Sequence, residues 1–290
     1  MTFGAMAALD LPAHGAEYRW RELVGLQASR HYDRSSSPQG SEVPPMTDTF
    51  PDIPAYLRRT KDNKMPEFAP KPLTLTFTIL NTYDICPHQM YRRYIKKDLP
   101  FVETPEMKWG NDTHTAMEHR MGGKPLPVNM QHWEPIAAAI AERKPRTEQQ
   151  LAIDASGKPT DYWNKVTPPF FRGKNDITLL NGTKALLFDW KTGGSKYENS
   201  FELETNAMLV HAHNPHLTEI SGSFVWLKEN RVGQAHTLSD TRSTFATVCN
   251  KAEEIRDRQA TNDWEKRKNP LCGWCNCFDC EFNTNPKKPT

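Results

Sequence analysis

Two aspartates and a lysine stand in an otherwise apolar stretch of this chain. It reads Arg172-Gly173-Lys174-Asn175-Asp176, and then Phe188-Asp189-Trp190-Lys191-Thr192-Gly193. Carboxylate oxygens suit Mg²⁺ or Mn²⁺. A cation held this way polarises a phosphate and lowers the pKa of a bound water. A neighbouring lysine can hold the attacking water or hydroxide and offset the charge that builds on phosphorus. The chemistry predicted is metal-assisted phosphodiester hydrolysis, with Asp176, Asp189 and Lys191 as its centre. The competing reading is a surface ion pair of Asp189 with Lys191. That reading leaves unexplained why charges sit in an apolar hairpin, where burial costs several kcal/mol each unless they are paired or bind metal.

Further groups could serve such a centre. Gly110, His114 and Glu118 recur every four residues, so on a helix they share one face. Gly110 would admit a close neighbour, and His114 could offer a ring nitrogen to the metal. Glu118, counted with the catalytic residues, could orient that ring. Arg92, Arg93, Lys96 and Lys97 recur at helical spacing as a basic strip suited to DNA, or as an ordinary solvated face. His211, His213 and His216 have ligand-like spacing, but Pro215 makes them a helix end, and they read as packing or surface histidines. Four of the six cysteines crowd between Cys272 and Cys280, and Cys272-x-x-Cys275 reads as metal binding.

These residues need a scaffold. Phe170–Leu180 and Thr183–Trp190 are apolar runs flanking Asn181-Gly182, a strong hairpin signal. With Asn181-Gly182 as a two-residue turn, Asp176 faces Leu187. Asp176 and Asp189 are then diagonal neighbours on one face, roughly 7–8 Å apart. Helices are predicted over 81–97 with a break at Pro87, and over 106–120, 134–143, 201–212 and 243–259; a strand is predicted over 224–227. Residues 1–70 are rich in Ser and Pro and lack a core-forming pattern, so they are expected to be a largely disordered or loosely packed arm, of which residues 1 to about 45 are dispensable for catalysis. The folded domain is expected over 71–290 with the cysteine cluster at its end.

The chain has 290 residues and a formal net charge of +2, so any nucleic-acid surface must be a local patch. It has no apolar run long enough to span a membrane, no signal-peptide pattern and no P-loop motif. A cytoplasmic setting, in a bacterium or a phage-infected host cell, is expected.

On these residues the chain resembles the RecB-like branch of the PD-(D/E)xK nucleases, especially phage and CRISPR-associated members. The resemblance rests on Cys86-Pro87 in a Tyr-rich first helix, on Gly110/His114/Glu118, and on Glu148 before the hairpin. Gly173-x-x-Asp176, Asp189-Trp190-Lys191-Thr192-Gly193 and Cys272-x-x-Cys275 complete it. It implies an α/β fold with a central mixed β-sheet flanked by helices, the restriction-endonuclease-like core. It also implies His114, Asp176, Asp189 and the Trp190 carbonyl as metal ligands, with Lys191 catalytic. Glu202 stands where the family often has a glutamine that contacts DNA. Cys86, Cys272, Cys275 and Cys280 are implied as ligands of a [4Fe–4S] cluster, although Cys275 and Cys280 stand one residue closer than in the usual pattern. Cys277 could replace one ligand, Zn²⁺ is the alternative occupant, and reduced, buried thiols are the third reading. The implied activity is a Mg²⁺- or Mn²⁺-dependent deoxyribonuclease, with exonuclease preferred, in DNA processing, recombination or repair. The implied partners are DNA and a separate helicase or recombination protein. The alternative is an inactive nuclease-fold DNA-binding subunit of a larger complex.

Overall fold

The computed structural model describes residues 73–99 and 103–286. The expected N-terminal arm over 1–70 lies outside the described residues. The rest forms an α/β fold: a mixed six-stranded sheet flanked by helices.

The chain enters along the sheet. Leu75 bridges Phe171 in parallel, its N–H donating to the Phe170 carbonyl. Helix α1 (Phe77–Ile85) then starts on Thr76, whose hydroxyl accepts from the Ile79 N–H. It stops at Cys86, extended at φ −160°, because Pro87 disfavours helical geometry in the residue before it. Helix α2 (Pro87–Met90) restarts there and runs into a π-helical turn over Tyr91–Lys96. The predicted break at Pro87 is present.

Helix α3 (Pro105–Met121) is capped by Thr104, with Pro105 in its first turn. A 3-10 turn (Val128–Trp133) leads into α4 (Glu134–Ala141), which packs on α3. Strand β1 (Arg146–Ile153) pairs antiparallel with β2 (Phe171–Asn181), and β2 with β3 (Lys184–Lys191). Helix α5 (Phe201–His213) crosses over to β4 (Glu219–Trp226), which runs parallel to β3. Two-residue strands β5 (Arg231–Val232) and β6 (His236–Thr237) edge β4. Helix α6 (Thr241–Thr261) is capped by Asp240 and ends at Asn262 in the left-handed conformation.

One core joins Leu75, Leu80 and Phe171 to Leu187, Phe224 and the buried face of α5 and α6. Ile177, Leu179, Leu186, Phe188 and Trp190 are buried outside that cluster, as are Met117, Trp133 and Ile140 on the α3–α4 side. The sheet is therefore covered on both faces, which explains why β3 reads as a continuous apolar run rather than an alternation.

The hairpin turn differs from the sequence reading. Asn181 pairs with Lys184, so the turn residues are Gly182 and Thr183, and only Gly182 has positive φ, at +57°. Glycine at the first central position is a preferred hairpin geometry. The pairing slides by two residues from the predicted register. An even slide keeps every side chain on its face, so the parity inference survives. Continuing the ladder one step past Ile177 and Phe188 sets Asp176 opposite Asp189, directly and not diagonally.

Candidate metal centre

The site lies where the middle of α3 and the first turn of α5 meet the middle of β2 and the C-terminal end of β3. Gly110 of α3 faces Thr192: a Cβ added there would meet its hydroxyl at 3.5 Å, an ordinary contact, so the approach does not require glycine. One turn on, His114 Nδ1 lies 3.3 Å from Asp176 Oδ2. That same oxygen accepts a 2.9 Å hydrogen bond from the Trp190 N–H, which ties β3 to the carboxylate of β2. Asp176 and Asp189 are both buried.

A third carboxylate joins from β1. Glu148 pairs with Lys174 and takes the left-handed conformation, φ +51°, opposite Asp176. A non-glycine residue in this region costs about 1–3 kcal/mol and often marks a functional site. The kink turns its carboxylate inward. His114, Glu148 and Asp176 each offer a ligand atom, all within 4.8 Å of one another.

Lys191 completes the group. Its ammonium is 2.7 Å from Asp189 Oδ2 and 2.6 Å from Glu202 Oε2, and 5.2 Å from the centroid of the Phe224 ring. Burial alone would depress Lys191, but the Asp189 and Glu202 carboxylates outweigh it and hold the ammonium charged. Burial pushes the Asp189 carboxyl up to about 8; Lys191 pulls the other way, and Asp176 and Glu202 add to the rise. For His114, burial would lower the pKa, but the Asp176 carboxylate and then Asp189 raise it.

This arrangement fits a divalent cation. Glu148 Oε2 and Asp189 Oδ2 are buried and face ammonium groups at ion-pair range, without hydrogen-bond alignment. Lys174 and Lys191 neutralise these two carboxylates, and the lone pairs that the ammonium groups leave open can accept a further cation held with Asp176 and His114.

The predicted residues divide as follows. His114, Asp176, Asp189, Lys191 and the Trp190 backbone converge. Glu118 does not: it is exposed, with its carboxylate outside the cluster, because four helical residues carry it a full turn past the strand ends. Glu202 is there as the partner of Lys191, a role that its predicted DNA contact did not anticipate. Glu148 enters the trio although the sequence ligand set omitted it; its place before the hairpin in the family resemblance was the only signal.

The basic strip is corrected in part. Arg92 is largely buried and forks between Asp98 and Asp279, so it braces the C-terminal turn against α2. Lys96 pairs with Asp98, while Arg93 and Lys97 are exposed. His211 bonds Thr241, His213 bonds the Ala152 carbonyl and His216 is exposed, in agreement with packing and surface roles.

The cysteines converge separately. Cys86, Cys272, Cys275, Cys277 and Cys280 line one cavity, all as free thiols. The Asn269 and Cys277 N–H groups donate to the sulfurs of Cys272 and Cys275. A hydrogen bond from the Cys277 thiol, with Arg93 and Arg92 nearby, draws Cys275 down to about 6. A tetrahedral zinc would bring its sulfurs within about 4 Å of one another. No three of these sulfurs meet within 4.8 Å among the described residues.

No helix among the described residues is long and apolar enough to cross a membrane. No protein-family model and no curated protein matches this chain. Among solved structures, the chain is similar to the crystal structure of SSO0001, with a TM-score of 0.42 and 16% identity over 78% of this chain and 91% of that one.

Proposed function

We propose that this chain is a divalent-metal-dependent deoxyribonuclease of the PD-(D/E)xK type, in its RecB-like branch. The observation that carries the reading is the convergence of His114, Glu148 and Asp176 beside the Asp189–Lys191 pair.

His114, Glu148 and Asp176 would hold the cation, with Asp189 at its border. A bound Mg²⁺ or Mn²⁺ supplies Lewis acidity at the scissile phosphate and a water of lowered pKa. Asp189 and Glu202 fix the Lys191 ammonium from two sides. So fixed, Lys191 can orient the attacking water and offset the charge that builds on the phosphate oxygens without reorganising. Trp190 locks Asp176 to β3, so the carboxylate and the lysine move as one unit.

The same reading assigns a [4Fe–4S] cluster to the thiol-lined cavity, with Cys86, Cys272, Cys275 and Cys280 as ligands and Cys277 beside them. Its role there is structural, pinning the C-terminal turn to the first helices.

The test is degradation of linear and covalently closed circular DNA in Mg²⁺, in EDTA, and by Lys191→Ala. Cleavage that needs the metal and is lost in Lys191→Ala is expected, with linear DNA preferred. Binding without any cleavage would sink the enzyme reading and leave the DNA-binding subunit.

A further inference from the structure

The loop between β1 and β2 carries an aromatic group that the proposed chemistry does not use. Trp163 is 61% exposed yet firmly held. Its indole N–H donates to Gln150 Oε1 at 3.2 Å. The guanidinium carbon of Arg172 lies 4.7 Å from its ring centroid and 4.8 Å from that of Tyr162. Tyr162 meets Trp163 edge-on at 4.9 Å.

The loop itself is braced. Asp161 Oδ1 accepts from the Trp163 N–H at 2.6 Å, and Asn164 Oδ1 accepts from the Val166 and Thr167 N–H groups. Arg172 is fixed by donating to the Tyr162 carbonyl, and its buried Nε has no hydrogen-bond partner. A large exposed ring held from below and from one edge has lost its rotamer entropy in advance.

The contacts lead from this ring to the metal centre. Gln150, which holds Trp163, pairs with Lys174 in the β1–β2 ladder. Lys174 contacts Glu148, and Glu148 stands in the trio with Asp176. Arg172 and Asp176 are four residues apart on β2, about 13 Å of strand. The surface between them carries the cations Arg172 and Lys174, which suits a phosphate backbone.

We infer that Trp163, clamped by Arg172 and Gln150, is a stacking subsite for an unpaired base of a strand whose backbone runs on to the metal centre. The inference rests on the nuclease reading for the strand's destination. Every base has a π-face, so the subsite grips any sequence; a paired base inside a duplex hides that face, so it selects single strands. Arg172 strengthens the stack by polarising the ring from its other side.

Binding of a fluorescein-labelled oligothymidylate and of a blunt duplex, measured by anisotropy in Ca²⁺, tests this. Trp163→Ala should weaken single-strand binding by about 5- to 100-fold, the range expected for one stacked base. Duplex binding should stay within about twofold, and Trp163→Phe should recover most of the single-strand affinity. Unchanged single-strand affinity in Trp163→Ala, an equal loss on duplex, or no single-strand binding by the wild-type protein overturns the subsite. Cleavage of DNA in Mg²⁺ is scored separately. A wild-type protein that cuts but shows no Trp163 effect loses the subsite and keeps the nuclease reading. One that shows the Trp163 effect but never cuts keeps the subsite and loses that reading.

Discussion

At the level of single residues, the centre is a contest between burial and charge. Asp189 is buried beside Asp176 and Glu202, and its carboxyl is pushed up to about 8 from an ordinary value of 3.8. A raised folded-state pKa means that the folded protein holds this proton more tightly than the unfolded chain. The resulting stabilisation is present below about pH 4 and is lost as pH rises to about 8. A cation at the site takes the proton's place. The rise in melting temperature on adding Mn²⁺ should therefore be larger at about pH 8 than at about pH 5. Scanning calorimetry at the two pH values checks this, and an equal or reversed effect would place the cation elsewhere. Glu148→Gln should weaken Mn²⁺ binding by about tenfold or more in titration calorimetry, whereas Glu118→Ala should leave both binding and cleavage near wild type. Glu148 was the residue least legible in the sequence. It sits in the polar run Arg146-Thr147-Glu148-Gln149-Gln150, where nothing alternates, and its inward turn depends on a left-handed backbone that the letters do not announce. Asp176, Asp189 and His114 were legible because strand parity and helical spacing act locally. The ion pair that takes Arg92 out of the basic strip was not, since Asp98 and Asp279 reach it by folding.

At the level of elements, the hairpin carries the site and its neighbours lock it. Sequence alternation placed both aspartates on one face, and the two-residue slide in pairing left that result intact because the side-chain period is two. Strand β1 was missed for want of apolar alternation, and β5 and β6 because two residues carry no pattern. Close approach is enforced by small residues. A Cβ on Gly222 of β4 would meet Leu238 Cδ1 at 2.8 Å and both Cβ and the carbonyl oxygen of Leu187 at 3.3 Å. Backbone cannot swing aside as a side-chain tip can. Gly222→Ala should cost about 1–3 kcal/mol in urea unfolding, and a neutral result would mean that β3 and β4 have room to part. Arg92→Ala should lower stability only slightly in urea unfolding, since Asp98 and Asp279 are both reached by solvent once the guanidinium is gone. Its cleavage rate in the folded fraction should stay near wild type, unlike that of a variant in a DNA-contacting arginine.

At the level of the whole molecule, the two candidate metal sites answer to different tests. Protein purified without oxygen should carry about four irons per chain and a broad visible absorbance, both lost in Cys275→Ala. Elemental analysis that finds zinc alone, or no metal, would remove the cluster and leave the hairpin chemistry untouched. The meeting of Cys86 with the Cys272–Cys280 turn also bears on how the chain comes apart. These thiols lie near the two ends of the described residues, so a cluster held between them would close almost the whole domain into a loop. In an unfolded chain such a tie removes freedom in proportion to the logarithm of loop length, about 5 kcal/mol for a loop of this order. Oxidative loss of the cluster would then act as a cut in a ring. The sheet and its carboxylates would stay as they are, and the denatured chain would regain its entropy.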